Sequence, residues 1–212
     1  MTTAALTELP AHPDYVAPEG FAGPDHPMRR LTRAIAFGER WTPDDAERVA
    51  GVFDGLAADW SERHVDPRKA APVLDAIERG RPPLDGRWIE LGSGTGAGCR
   101  VIDDHVREHI SVDLSAAMLA HAPAAPKVRA DSSRLPFPDD VADVVLMINM
   151  LLFPAEVDRI LNPGGRVLWV NTLGDQTPIH LPPDDVARAL PGDWNGVWSH
   201  AGTGLWAVLD RV

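Results

Sequence analysis

Three glycines at alternate positions, Gly92, Gly94 and Gly96, follow a short apolar run ending in Glu90 and Leu91. Two further acids, Asp113 and Asp131, each close a later apolar run. Glycines spaced in this way let a backbone pass close to a ligand, and a helix opening near Thr95 would turn free N–H groups toward it. A dinucleotide pyrophosphate and the carboxylate of a small zwitterion would both suit that helix end. The run 92–97 even fits the dinucleotide form GxGxx(G/A), so the glycines alone do not separate the two ligands. The acids do. Glu90 would sit badly beside a pyrophosphate but suits a ligand carrying an ammonium and a sulfonium. Asp113 stands where a carboxylate can accept from both hydroxyls of a ribose, and Asp131 where one can accept from an adenine amine.

Such residues need a scaffold that presents strand ends side by side. From Pro82-Pro83 onward the chain reads as strand–turn–helix repeats. The expected strands are Arg87–Leu91, 109–113, 127–131, 142–149 and 166–172, and the expected helices 95–108, 115–121, 154–161 and 182–190. The run Val-Val-Leu-Met-Ile-Asn before Met150 is nearly all apolar, as in a strand buried on both faces of a parallel sheet. Residues 197–200 and 205–211 form an expected hairpin around Ala201-Gly202-Thr203-Gly204. Together these predict an α/β fold, a doubly wound, mostly parallel seven-stranded sheet with a C-terminal β-hairpin, with ligands bound outside the strands' carboxyl ends.

Residues 1–80 read as an N-terminal arm and helical lid, and 81–212 as the ligand-binding α/β domain, one structural unit overall. Pro10, Pro13, Pro18, Pro24 and Pro27 make regular structure unfavourable in 1–27. Thr42-Pro43-Asp44-Asp45 is a helix start, and Val49, Val52, Phe53, Leu56 and Trp60 then mark one apolar face. A short helix opens at Pro72 and stops near Gly80.

Glu90-Leu91-Gly92-Ser93-Gly94-Thr95-Gly96, Val112-Asp113-Leu114-Ser115 with Met118-Leu119, Ala130-Asp131 before Leu135-Pro136-Phe137, and Leu161-Asn162-Pro163-Gly164-Gly165 together resemble class I S-adenosylmethionine-dependent methyltransferases. The small-molecule, quinone-biosynthesis-type subgroup is the nearest resemblance, over roughly residues 86–173. It implies a Rossmann-like methyltransferase fold with S-adenosyl-L-methionine as cofactor and S-adenosyl-L-homocysteine as product. Glu90 would face the methionine amino group, with Gly92, Gly94 and Gly96 as the loop against which the cofactor lies. Asp113 would hold the ribose, Leu114 pack on the adenine, and Asp131 and the Ser132 N–H meet its polar edge. Asn149 would lie near the methionyl moiety, and Trp60 takes the place of an aromatic that closes over the cofactor; a core role for Trp60 is an equal alternative.

An oxygen acceptor usually needs a general base. Relatives often carry histidines after the fourth strand's asparagine, whereas this chain reads Asn149-Met150-Leu151-Leu152-Phe153, which suits an apolar acceptor pocket. Base candidates elsewhere are His12, Tyr15, His26, His64 and His180; an acceptor that ionises readily would need none. Cys99 reads as a core thiol, and Asp103, Asp104 and His105 as a solvated helix face, so no metal is expected.

The sequence has 212 residues, a single cysteine and a net charge of −11, with only two lysines, Lys69 and Lys127. The charge disfavours nucleic acid as partner, and no apolar run is long enough to span a bilayer. No signal peptide is read at the amino terminus, so a cytoplasmic protein is expected. The expected activity is methyl transfer to a small-molecule acceptor, as a monomer or homodimer. Two rivals are a non-catalytic S-adenosylmethionine- or S-adenosylhomocysteine-binding protein and, less favoured, an NAD(P)-dependent oxidoreductase. Seven tryptophans would serve either an aromatic pocket, a dimer face or the core.

Overall fold

The computed structural model describes residues 5–19, 25–63, 66–123 and 126–212. Its centre is one eight-stranded sheet in the order β1-β7-β8-β6-β5-β2-β3-β4. The strands are β1 (Ala5–Glu8), β2 (Arg87–Leu91), β3 (Glu108–Asp113), β4 (Lys127–Arg129), β5 (Ala142–Ile148), β6 (Leu161–Asn171), β7 (Trp194–Ala201) and β8 (Gly204–Arg211). Only β8 runs antiparallel, to β6 on one side and β7 on the other. The helices are α1 (Pro27–Ala36), α2 (Pro43–Arg63), α3 (Ala71–Asp75), α4 (Cys99–Ile102), α5 (Ala116–His121), α6 (Pro154–Ile160) and α7 (Pro183–Ala189).

Side chains alternate across each strand, so every central strand feeds two cores. Val145 and Met147 of β5 join Ile89, Leu91, Val167 and Trp169 under α6 and α7. Val144 and Leu146 point the other way, to Trp88, Leu168, Trp206 and Val208, where α3 and the π-helical turn Ala76–Gly80 supply Val73 and Ala76. Trp88, Trp169, Trp194 and Trp206 are fully buried. The late tryptophans are therefore mainly core rather than a pocket or a dimer face, apart from half-buried Trp198.

Three expectations change. The arm is not without regular structure: Ala5–Glu8 pairs in parallel with Asn195–Trp198, which brings the sheet from seven strands to eight. The prolines begin only at Pro10, and the four residues before them can take ladder hydrogen bonds from the edge of β7. The helix expected over 95–108 shrinks to Cys99–Ile102. Gly96 N–H turns back to the Ser93 carbonyl at 2.9 Å, and glycines at 96 and 98 weaken any helix started earlier. Finally, the Asn162-Pro163-Gly164-Gly165 turn lies inside β6, which starts at Leu161 and carries an irregularity against β5.

At the other end of the sheet the hairpin closes on Gly202 and Thr203, as expected. Asp75, buried at the end of α3, accepts from Trp206 Nε1 at 2.6 Å and is paired with Arg79. Arg79 in turn donates to the Pro10 carbonyl at 2.8 Å and to Ser199 Oγ at 2.9 Å. One buried carboxylate thus ties arm, helix and hairpin together. Among the described residues no helix is long and apolar enough to cross a membrane.

Candidate functional site

β2 and β5 are neighbours, while the chain leaves β2 for β3 on the opposite side; the strand order reverses between them. A crevice at the carboxyl ends of such a pair is where open α/β sheets bind ligands. A cavity of about 540 Å³ opens there. Its lining includes Glu90, Gly92, Gly94, Asp113, Leu114, Asp131, Ser132, Asn149 and Trp60; Gly96 alone among the expected cofactor residues does not line it.

The loop after β2 is shaped by its partners. Gly92, Gly94 and Gly96 have φ of 70°, 54° and 81°, a region open to glycine. A Cβ on Gly94 would have no neighbour nearer than Trp60 Nε1 at 4.0 Å, so this backbone faces open cavity. The Asp113 carboxylate accepts from Gly94 N–H at 2.7 Å and from Ser115 N–H at 2.8 Å. It therefore fixes the loop while keeping lone pairs for a ligand. Burial raises the Asp113 pKa, against the backbone N–H groups that lower it.

Asp131 accepts from Ser133 N–H at 2.8 Å and from the Trp41 indole at 3.0 Å. Trp41, which sequence reasoning missed, also lines the cavity and meets Phe153 edge-on at 5.4 Å between ring centres. Asn149 has φ of 50°, and its side chain is locked on Thr172, donating to Oγ1 at 2.8 Å and accepting from N–H at 2.9 Å. The left-handed backbone of Asn149 turns the chain from β5 into the apolar stretch Met150, Leu151 and Phe153. These three line the cavity with Met28 of α1, Val49, Phe53 and Trp60 of α2, and Ile179.

Glu90 is 1% exposed. Its carboxylate lies against Gly98, where a Cβ would collide with it. Below it stand His109 Nε2 at 3.3 Å from Oε2 and Cys99 Sγ at 3.6 Å. One polar atom from each of Glu90, Cys99 and His109 lies within 4.8 Å of the other two. His109 Nδ1 is bound to Asp103 at 2.7 Å, and Cys99 Sγ to Ser111 Oγ at 2.9 Å. Burial raises the Glu90 pKa, opposed by His109 and Cys99. For His109, burial works against the imidazolium, but Cys99, Glu90 and Asp103 outweigh it and push the pKa up to about 10. The signal for this cluster was legible: His109, Ser111 and Asp113 recur at period two in a strand whose other face holds Ile110 and Val112.

The base candidates stand elsewhere. His12 Nδ1 accepts from Asp14 N–H at 3.2 Å, and the Tyr15 ring lies 4.7 Å from that of His200. His26 caps α1 by accepting from Met28 N–H at 3.2 Å. His180 binds Asn171 Oδ1 at 3.0 Å, and burial with the Arg29 charge lowers its pKa to about 4. None of these four lines the cavity. His64 lies outside the described residues. Among the described residues two cations do line it, Lys69 and Arg100.

Residues 89–169 match a family described as "Methyltransferase domain". A demethylmenaquinone methyltransferase of Mycobacterium tuberculosis is 31% identical over 143 residues, covering 58% of this chain and 58% of that protein. The chain thus spans less than two thirds of the curated relative it matches. Among solved structures, the DhpI–SAH complex superposes with a TM-score of 0.62 over 77% of this chain and 95% of that one, at 20% identity. A structure from Methanococcus maripaludis described as a "putative s-adenosyl-l-methionine-dependent methyltransferase" gives 0.55 over 82% of this chain and 97% of that one, at 16% identity. These two likenesses establish the fold.

Proposed function

We propose that this chain, whose residues 89–169 form a methyltransferase domain of the class I, quinone-biosynthesis type, transfers a methyl group from S-adenosylmethionine to a small, largely apolar acceptor. One observation carries the reading: the acids at the ends of β2 and β3 and the acid just past β4 border the same cavity as an apolar wall built from α1, α2 and residues 150–153. The open backbone at Gly94, the paired but unsaturated Asp113 and the buried acid Glu90 suit a ligand with a ribose and an ammonium.

The cofactor supplies an electrophilic methyl group already activated by its sulfonium. What this chain's residues then do is position and exclude water. Glu90 offers charge to the amino-acid end, Asp113 and Asp131 accept from sugar and base, and Trp41, Phe53, Trp60 and Phe153 exclude water from the acceptor side. With no histidine or tyrosine in the cavity lining among the described residues, the acceptor enters as a readily ionised group such as an acidic phenol or carbon acid. The name of the mycobacterial relative makes quinols the first acceptors to try.

Calorimetric titration with S-adenosylmethionine and S-adenosylhomocysteine tests the cofactor. Saturable binding is expected, weakened by about 1.5–3 kcal/mol in Asp113→Ala, the range for a charge-assisted hydrogen bond. Folded protein that binds neither compound would overturn the reading. Cofactor binding without product across quinols, phenols and carbon acids would favour a binding protein, a rival supported by the same lack of histidine and tyrosine in the cavity lining among the described residues.

A further inference from the structure

His109 faces a carboxylate on each side, Glu90 at Nε2 and Asp103 at Nδ1. A neutral imidazole carries one lone pair and one N–H, so it can satisfy only one carboxylate; an imidazolium satisfies both. The Nε2 contact to Glu90 is close without being an aligned hydrogen bond, so attraction between charges is what holds it. The side chains of Glu90 and His109 are only 2% and 4% exposed, whereas that of Asp103 is 40% exposed and reaches solvent. The stack therefore runs from the cavity, through Glu90 on β2 and His109 on β3, to Asp103 just beyond α4. Cys99 on α4 is the remaining titratable group acting on it.

We propose that His109 is a positioning residue for Glu90, holding its carboxylate as an anion under Gly98 so that the cavity presents a negative charge to the ammonium of the ligand's amino-acid end, while Asp103 holds His109 in its charged form. The inference rests on the S-adenosylmethionine reading. A buried carboxyl group without a cation beside it takes up a proton, because burial disfavours the charged form. It would then lose its attraction for an ammonium. With His109 beneath it, Glu90 stays ionised to lower pH, and the rest of the ligand, ribose and adenine, has no stake in that charge.

The experiment compares two ligands in wild type and His109→Gln across pH 5.5–9. S-adenosylhomocysteine carries the amino acid, and 5′-methylthioadenosine carries only sugar, base and thioether. In His109→Gln the affinity for S-adenosylhomocysteine is expected to fall about tenfold near neutral pH. Its pH midpoint should move upward by a unit or more, with recovery as pH rises. Binding of methylthioadenosine should be unchanged. Superimposable pH curves for the two proteins, or an equal loss for both ligands, would overturn the proposal, the latter marking His109 as merely structural. A second measurement needs no variant: the imidazole NMR signals of His109 should report a doubly protonated ring at pH 8. A neutral ring at pH 7, or a metal ion retained at one per chain, would also overturn it. If wild type binds neither ligand, the cofactor reading fails and this inference with it; failure of the inference alone leaves wild-type binding intact.

Discussion

Trp41 and Trp60 are the two tryptophans in the cavity wall, while Trp88, Trp169, Trp194 and Trp206 are fully buried in the sheet's cores. Ligand binding should therefore change the emission of two indoles and leave the core set nearly silent. Trp41→Phe is expected to remove a large part of that fluorescence change. It should also lower stability to urea by about 1.5–3 kcal/mol, since Asp131 loses a donor to a charged acceptor; an unchanged fluorescence titration would separate Trp41 from the ligand.

His180 makes a different prediction. Its pKa falls from 6.5 to about 4 in the folded protein. Between those values the unfolded chain takes up a proton that the folded chain refuses, so stability falls as pH drops through that window. The loss is at most about 3 kcal/mol. Urea unfolding of His180→Asn at pH 7 and pH 4.5 should show a smaller difference than wild type. Among site residues, the acids were legible because a strand end fixes where a side chain stands. The histidines were chosen by type alone, and Trp41 reaches Asp131 through the packing of α1 with Met150, Leu151 and Phe153, which no local pattern records.

Elements were most legible where the hydrophobic period was strong, as in β5 and the hairpin of β7 and β8. They were least so where pairing partners are remote. β1 has four residues and one large apolar side chain, Leu6; nothing local marks it as a strand, and the edge of β7 makes it one. α4 failed the other way, its apolar spacing outvoted by the glycines before it. The hairpin turn gives a sharp test. Gly202 has φ of 55°, and a Cβ there would collide with the Arg68 carbonyl and Ala71. Both obstacles belong to neighbouring backbone and a short helix, with no flexible side chain to swing aside. Gly202→Ala should therefore destabilise by about 2–4 kcal/mol in thermal or urea unfolding. A loss under 0.5 kcal/mol would mean that α3 is free to move away from the hairpin.

At the scale of the whole molecule, α2, which lines the cavity, is tied to the start of α5. Asp54 of α2 accepts from Ser115 Oγ at the start of α5 and from Ala117 N–H at 3.3 Å, one residue beyond the Asp113-Leu114 pair that borders the cavity. A ligand filling the space between α2 and the sheet must then stabilise α2. Hydrogen exchange in α2 is expected to slow on adding S-adenosylhomocysteine and to quicken in Asp54→Ala, with little change in β5 and β6; uniform changes across the sheet would instead mean that α2 and the sheet open as one unit.

The register of β1 has a consequence for how the chain is made. Ala5–Glu8 pairs with Asn195–Trp198, so this segment is satisfied only after roughly 190 more residues have left the ribosome. Until then it has no neighbour, and Ala-Leu-Thr-Glu, with its single large apolar side chain and terminal charge, is a poor template for pairing with a second nascent chain. The edge of β7 is thus covered by a segment that precedes it by roughly 190 residues, and only once β7 itself has emerged.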